Sequence, residues 1–388
     1  MLFILMYLML ILCIVFLFER YHIGEVSMLS SSDSSPHYAD KFQISKYYSF
    51  VRLIFIGFTI LMCILIRIKK TLLFVHLSIF NIFLLFQFVF NSEFPWLLAM
   101  VNSYTSSCLW IYVYMYSFIC TSTCYNLFSV ERITIFLAVL CFVLFLRNYI
   151  ECFSRGIQWS YIESYFMITI LPLLPWLKVK TRYVLVAMSI LTMLLSAKRT
   201  GILMGTTQLL CYFYMSVRRV SDYIKRIPIV ISAVLMGAGI VSVYFDEQFY
   251  HILQRFQNIE DDGGSGRDIV YSKVLSSIFD SDVLSFTFGH GYNAVLLDRV
   301  GLGFSAHNEF LEVFYDYGLI GFLAFVFVFF LILRIWRMQR DSSIGTSALM
   351  SFLVFLMLSM TSHSILTTTN ILPLALILGY IDACKQNK

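Results

Sequence analysis

Apolar blocks recur along the whole chain, each close to the length that crosses a bilayer and each fenced by a short polar stretch. Twelve can be drawn, at roughly 1–18, 48–66, 71–90, 96–118, 133–150, 163–177, 182–197, 201–217, 227–245, 318–336, 344–361 and 365–382. A bilayer core takes about 20 apolar residues per helix. Backbone polar groups in lipid must be satisfied within the spanning segment, so long apolar blocks are helices. Only 13% of the 388 residues are charged, about half the roughly 25% of a soluble domain. The chain therefore reads as an all-α polytopic membrane protein of about 12 transmembrane helices, with no nucleic-acid partner. The fourth block is the least typical, because "VNSYTSSCLWIYVYMYSFIC" is polar and aromatic.

The first block lacks a basic leader and a small-residue cleavage site, so it is expected to be a retained span rather than a signal peptide. The nine cysteines lie mostly inside apolar blocks and show no metal-like spacing, so neither a disulfide framework nor a zinc site is expected.

Basic residues fall in alternate loops: "RIKK" at 67–70, Arg132, "KVKTR" at 178–182, two pairs within 218–226, then Arg334, Arg337 and Arg340. The positive-inside rule puts those loops and both termini in the cytoplasm. Two polar pieces are left on the other side. Residues 19–47 are Ser-rich and read as a spacer. Residues 246–306 form a longer loop, and long loops in such proteins are usually functional. The expected organisation is a bundle of about nine spans over 1–245, a catalytic outer loop over 246–317 with short amphipathic helices, and three more spans over 318–388.

Three features stand on that outer face. Lys198 and Arg199 sit in "SAKRTG", a minimal turn on the side that should lack cations; they read as an anion site or as cations snorkelling to lipid phosphates. In "DDGGSGRDIVYSKVLSSIF", Ser265 and Asp268 have capping-box spacing, and Val270, Tyr271, Val274, Leu275, Ile278 and Phe279 recur at helical spacing. A helix lying on the membrane surface is expected there. Arg267 then falls in its first turn, where an anion would explain a cation; a solvated loop arginine is the alternative. The third feature is "AHNEFLEVFYDYGLIG". On a helical wheel Glu309, Glu312 and Asp316 share a narrow face, read as a solvated stripe. His307 is expected opposite them, on the membrane-facing side with Leu311 and Phe314. Gly318 and Gly321 are expected to let the chain turn into the next span. Arginine binds phosphate bidentately and a neutral histidine accepts a proton. Together they are suited to reacting a lipid-linked phosphate ester with a hydroxyl.

The order of these pieces is a many-span first half, an outer "SAKRTG" turn, a loop with "SGR", the "GHG" at 289–291, and "AHNEFLEVFYDYGLIG" opening a span. It resembles the O-antigen polymerase and O-antigen ligase superfamily of bacterial inner-membrane glycosyltransferases. The resemblance implies a metal-independent, cofactor-free enzyme whose donor is an undecaprenyl-diphosphate-linked oligosaccharide. It further implies a site facing the periplasm. By position the family's functional arginines match Arg199 and Arg267, and its histidine matches His307. Lys198, Asn308, Gly289 and Gly291 are expected to contribute to substrate binding. The arginines would hold the diphosphate as it gains charge, and the histidine would activate the acceptor hydroxyl. Within the superfamily a polymerase is expected, with a ligase transferring to lipid A core as the alternative. Membrane lipid and a chain-length regulator are the partners expected. A transporter fits less well, because transporters place charges at the bilayer midplane. Here only His76, Glu93 and His363 occur at span positions or edges.

Overall fold

The computed structural model describes residues 46–91, 97–124, 130–154, 164–196, 199–216, 263–295, 305–361 and 371–386. The first and ninth apolar blocks, the polar stretch up to residue 45, Lys198, Glu93 and His363 lie outside them. All regular structure among the described residues is helical. In chain order the elements are α1 (Lys46–Leu65), α2 (Leu72–Phe86) continued by a π-helical turn (Gln87–Asn91), α3 (Leu97–Cys124), α4 (Val130–Ser154), α5 (Ser164–Ile170) with a 3₁₀ extension (Leu171–Trp176), α6 (Val179–Leu195), α7 (Arg199–Ser216), α8 (Gly263–Phe279), α9 (Val283–Phe288), α10 (Glu309–Met338), α11 (Ser343–Thr361) and α12 (Leu372–Cys384). Each described apolar block falls on a helix, although α10 starts at Glu309, ahead of the block drawn at 318–336, and residues 365–370 of the last block lie outside the described residues.

Three of the described helices are long and apolar enough to cross a membrane, over Leu72–Asn91, Glu309–Met338 and Ser343–Thr361. The α2 segment shows why such helices need lipid. Its Leu73, Phe74, Leu77, Phe80 and Leu84 are buried, yet Leu72, Val75, Ile79, Ile82, Leu85 and Phe86 are exposed on the other side. A helix apolar all round has no face for water, and this is a membrane protein.

The described residues divide into two compact units. The first holds α1–α3, α8 from Val270 onward, α9, α10 as far as Leu331, and α12. At its centre lies α3, the polar and aromatic fourth block. Cys108 through Tyr116, with Phe118, Ile119 and Cys120, are all buried. Its polar groups bind neighbouring helices: Tyr112 Oη accepts from Asn81 Nδ2 at 2.8 Å, Ser117 Oγ donates to the Leu376 carbonyl at 2.6 Å, and Tyr114 Oη donates to Asp382 Oδ2 at 2.6 Å. Thr71 Oγ1 donates to the same Asp382 oxygen. A Cβ on Gly379 would stand 2.3 Å from the Tyr114 carbonyl oxygen. Small residues and interhelical hydrogen bonds do here what the hydrophobic effect cannot do within lipid. Asp382 is thus an acid inside the bundle that hydropathy alone passed over. His76, one of the polar groups at span positions, is satisfied by the Ala324 carbonyl at 2.8 Å.

The second unit holds α4–α7, the end of α10 and α11 as far as Met357. Trp176 Nε1 donates to Ser347 Oγ at 2.8 Å, and Gln208 Nε2 donates to the Met350 carbonyl at 2.9 Å. Glu131 accepts from Thr181 Oγ1 at 2.8 Å and pairs with Lys178 at 3.2 Å, tying the start of α4 to the basic segment before α6.

Candidate functional site

The element called α10 is two helices joined at Gly318. There φ is +67° and ψ is −172°, a region essentially closed to residues with a Cβ. The short first part, Glu309 to Tyr317, precedes the long apolar part. This is the turn that Gly318 was expected to make. Asn308 caps the start: its Oδ1 accepts from the backbone N–H groups of Phe310 at 3.1 Å and Leu311 at 3.3 Å. Such capping satisfies donors that a helix start leaves open.

The "GHG" loop docks on the other end of this short helix. His290 N–H donates to the Tyr315 carbonyl at 3.0 Å and Gly291 N–H donates to the Asp316 carbonyl at 2.9 Å. These are terminal carbonyls that a helix otherwise leaves unsatisfied. A Cβ on Gly289 would lie 2.2 Å from the Asp316 carbonyl oxygen, and one on Gly318 would lie 2.4 Å from that of Thr287. Two glycines pressed backbone to backbone therefore lock loop to kink. This close approach accounts for Gly289, and the backbone bond with φ of +96° accounts for Gly291. The His290 ring stacks on Tyr315 at 4.2 Å, and its Nε2 lies 2.8 Å from Ser281 Oγ. From α2, Asn91 Nδ2 donates to the Gly289 carbonyl at 2.9 Å, and Phe88 packs on Tyr292 at 4.6 Å. The π-helical turn carries both residues, in keeping with the frequency of π turns at functional places.

The acids and the histidine differ from the helical-wheel expectation. Glu309 and Glu312 are 0% exposed and Asp316 is 2% exposed. They are a buried face, not a solvated stripe. Glu312 Oε1 accepts from Ser305 Oγ, and Asp316 Oδ1 accepts from Val295 N–H at 3.3 Å. The wheel could not orient this helix, because Phe310, Leu311, Val313, Phe314, Tyr315 and Tyr317 surround it with apolar groups. His307 lies before the cap, so helical periodicity does not apply to it. Its φ is +52°, one of two positive values at non-glycine residues among those described, and it is exposed. It does not share the packing of Leu311 and Phe314. Those two lie against a cluster of Val270, Val274, Ile278, Ala294, Val295, Ala306 and Tyr315.

That cluster also corrects the reading of α8. Val270, Val274 and Ile278 pack on the protein, while Leu275 and Phe279 are exposed. The helix begins at Gly263 rather than after Ser265, so Arg267 stands in its second turn, half-buried. Arg199 is the first residue of α7, and the Ser196 cap of α6 stands three residues before it. Gly289, Gly291, His307 and Asn308 gather around the short helix of the first unit; Arg199 and Arg267 fall in the second. Sequence reasoning missed Ser305, Asn91 and the burial of Glu312. The one signal for Ser305 was a hydroxyl two residues before a histidine.

An all-helical membrane protein with an exposed histidine just before a span-length helix is the class that fold and site define. Residues 184–326 match the model of the O-antigen ligase family. That match supports the O-antigen polymerase and ligase superfamily and a glycosyltransferase-like enzyme. No curated protein matches the chain. Lys198, Arg199, Arg267, Gly289, Gly291, His307 and Asn308 all lie within the matched residues.

Proposed function

We propose that the protein is an O-antigen polymerase. It moves a growing glycan from undecaprenyl diphosphate onto a hydroxyl of a second lipid-linked repeat, at the periplasmic face of the bacterial inner membrane. The observation that carries this reading is His307: exposed, held at a positive φ just ahead of a helix cap, and inside the matched family segment. A side chain presented from a strained backbone is a mark of function. On this reading His307 takes the proton from the acceptor hydroxyl, a step that contributes about 10²–10⁴-fold. Arg199 and Arg267 hold the diphosphate as the bond to the anomeric carbon breaks, with Lys198 adding charge and Asn308 fixing the loop. No metal or cofactor enters the reaction. The topology that goes with it has twelve spans, both termini cytoplasmic and residues 246–317 outside.

The ligase reading, transfer to lipid A core, draws support from the name of the matching family model. Deleting the gene and displaying the lipopolysaccharide separates the two. Loss of a polymerase leaves a single repeat on the core. Loss of a ligase leaves bare core, with long chains still on the lipid carrier. The single-repeat pattern is expected.

A further inference from the structure

The geometry points to Ser305 and Glu312 as the pair that positions His307, an inference that rests on the reading of His307 as the base. The histidine is exposed, yet its backbone is bracketed. On one side, Ser305 Oγ accepts from His307 N–H at 3.1 Å and donates to Glu312 Oε1. On the other side, Asn308 Oδ1 caps Phe310 and Leu311, and Glu312 N–H donates to the Asn308 carbonyl at 3.0 Å. Both flanks of His307 are thereby tied to one helical turn, and Glu312 takes part in both ties. The carboxylate is wholly buried on the face of α10 that also carries Glu309 and Asp316, so it moves only with that helix. Ser305 is buried as well, at 9% exposure.

The chemistry of the link is specific. A serine hydroxyl has one proton and two acceptor positions, so it relays between a donor and an acceptor-only group. The backbone N–H is the donor and the carboxylate is the acceptor. Threonine preserves this relay, alanine abolishes it, and glutamine in place of Glu312 keeps an acceptor oxygen without the charge. The conformation needs such a hold, because left-handed backbone at a non-glycine residue is uncommon. Strain of this kind corresponds to a population factor of roughly 5- to 150-fold. Released from Ser305, His307 would spend most of its time in other conformations, away from the acceptor hydroxyl, while the diphosphate contacts of the donor stayed as they were.

The test uses full-length purified protein in liposomes, with lipid-linked repeat extracted from host membranes as both donor and acceptor. Ser305→Ala is expected to lower kcat roughly 5- to 150-fold with the donor KM within about twofold. Ser305→Thr is expected to restore most of the rate. Glu312→Met should behave as Ser305→Ala does, and Glu312→Gln should fall between. His307→Asn removes the base and keeps a residue tolerant of positive φ, and adding Ser305→Ala to it should cost nothing further. Should Ser305→Ala not fold, Ser305→Cys, with its weaker donor and acceptor, carries the same comparison with Ser305→Thr. The positioning role is overturned by wild-type kcat in Ser305→Ala. It is also overturned by failure of threonine to rescue, or by a further multiplicative loss on top of His307→Asn. Wild-type turnover in His307→Asn would instead remove the reading of His307 as the base, a separate result with its own readout.

Discussion

Replacing Gly318 by alanine probes the junction that locks the Gly289 loop to the short helix following His307. Its φ of +67° and ψ of −172° lie where a Cβ is strongly disfavoured. The added carbon would stand 2.4 Å from the Thr287 carbonyl oxygen and 2.5 Å from Gly289 N. Both obstacles are backbone, so neither can rotate away. Relief requires the loop to move off the short helix, which breaks the bonds from His290 N–H to the Tyr315 carbonyl and from Gly291 N–H to the Asp316 carbonyl. Strain of about 1–3 kcal/mol and two hydrogen bonds of about 1 kcal/mol each sum to roughly 3–5 kcal/mol. The control is Gly57→Ala in α1, where a Cβ meets nothing within 4 Å and helix propensity favours alanine by about 0.5–1 kcal/mol. Thermal unfolding of the two variants in one detergent compares them. Gly318→Ala should unfold well below wild type and Gly57→Ala at or slightly above it. Equal midpoints and equal polymer formation in the two variants would refute the argument that the kink locks the loop.

Further outcomes follow from the same structure. Arg199→Lys and Arg267→Lys keep the charge and lose the bidentate fork, so each should impair polymer formation, and each alanine variant should impair it more. Titration with a lipid-diphosphate analogue reads the binding directly, and unchanged affinity in both alanine variants would remove the anion site. Asp282 caps α9, and hydrogen bonds first from Ser285 and then from Leu284 hold its carboxyl below the usual carboxylate value. Because the folded value is depressed, the cap contributes above the ordinary carboxylate pKa of about 3.9 and is lost as pH falls through the lower folded value. Amide exchange across 283–288 should therefore lose protection in Asp282→Ala at neutral pH and in wild type only in strong acid. Single cysteines at Ser265 and Ser343, with the native cysteines replaced, should label from opposite sides of the membrane; labelling from one side would refute the proposed topology.

The fold was legible in the sequence wherever lipid imposes a length, as at 71–90 and 344–361, because apolar length needs no partner to be read. It was also legible at Gly318, where only glycine fits the turn. The interior of the bundle was harder. Residues 97–124 are too polar to resemble a lipid-facing helix, yet they form the buried centre, because Tyr112, Tyr114 and Ser117 find partners on α2 and α12 that are distant in sequence. The site shows the same limit. Arg199, Arg267, His307 and Asn308 could be singled out by residue type and motif. The burial of Glu309, Glu312 and Asp316 could not, because apolar residues on every side of that short helix leave a periodicity argument without a preferred face. His307 escaped the wheel for a different reason: it precedes the helix, where periodicity does not apply, and its backbone has a positive φ between the Ser305 and Asn308 bonds.

The most direct measurement of the central claim is glycan extension by the purified protein in liposomes, supplied with extracted lipid-linked repeat and, in a parallel sample, with lipid A core. The account predicts chains of two or more repeats on the lipid carrier with wild-type protein. It also predicts their absence with a His307→Asn variant that purifies at the same level and unfolds at the same temperature. Chains formed equally well by His307→Asn, or transfer by wild type only onto lipid A core, would contradict it.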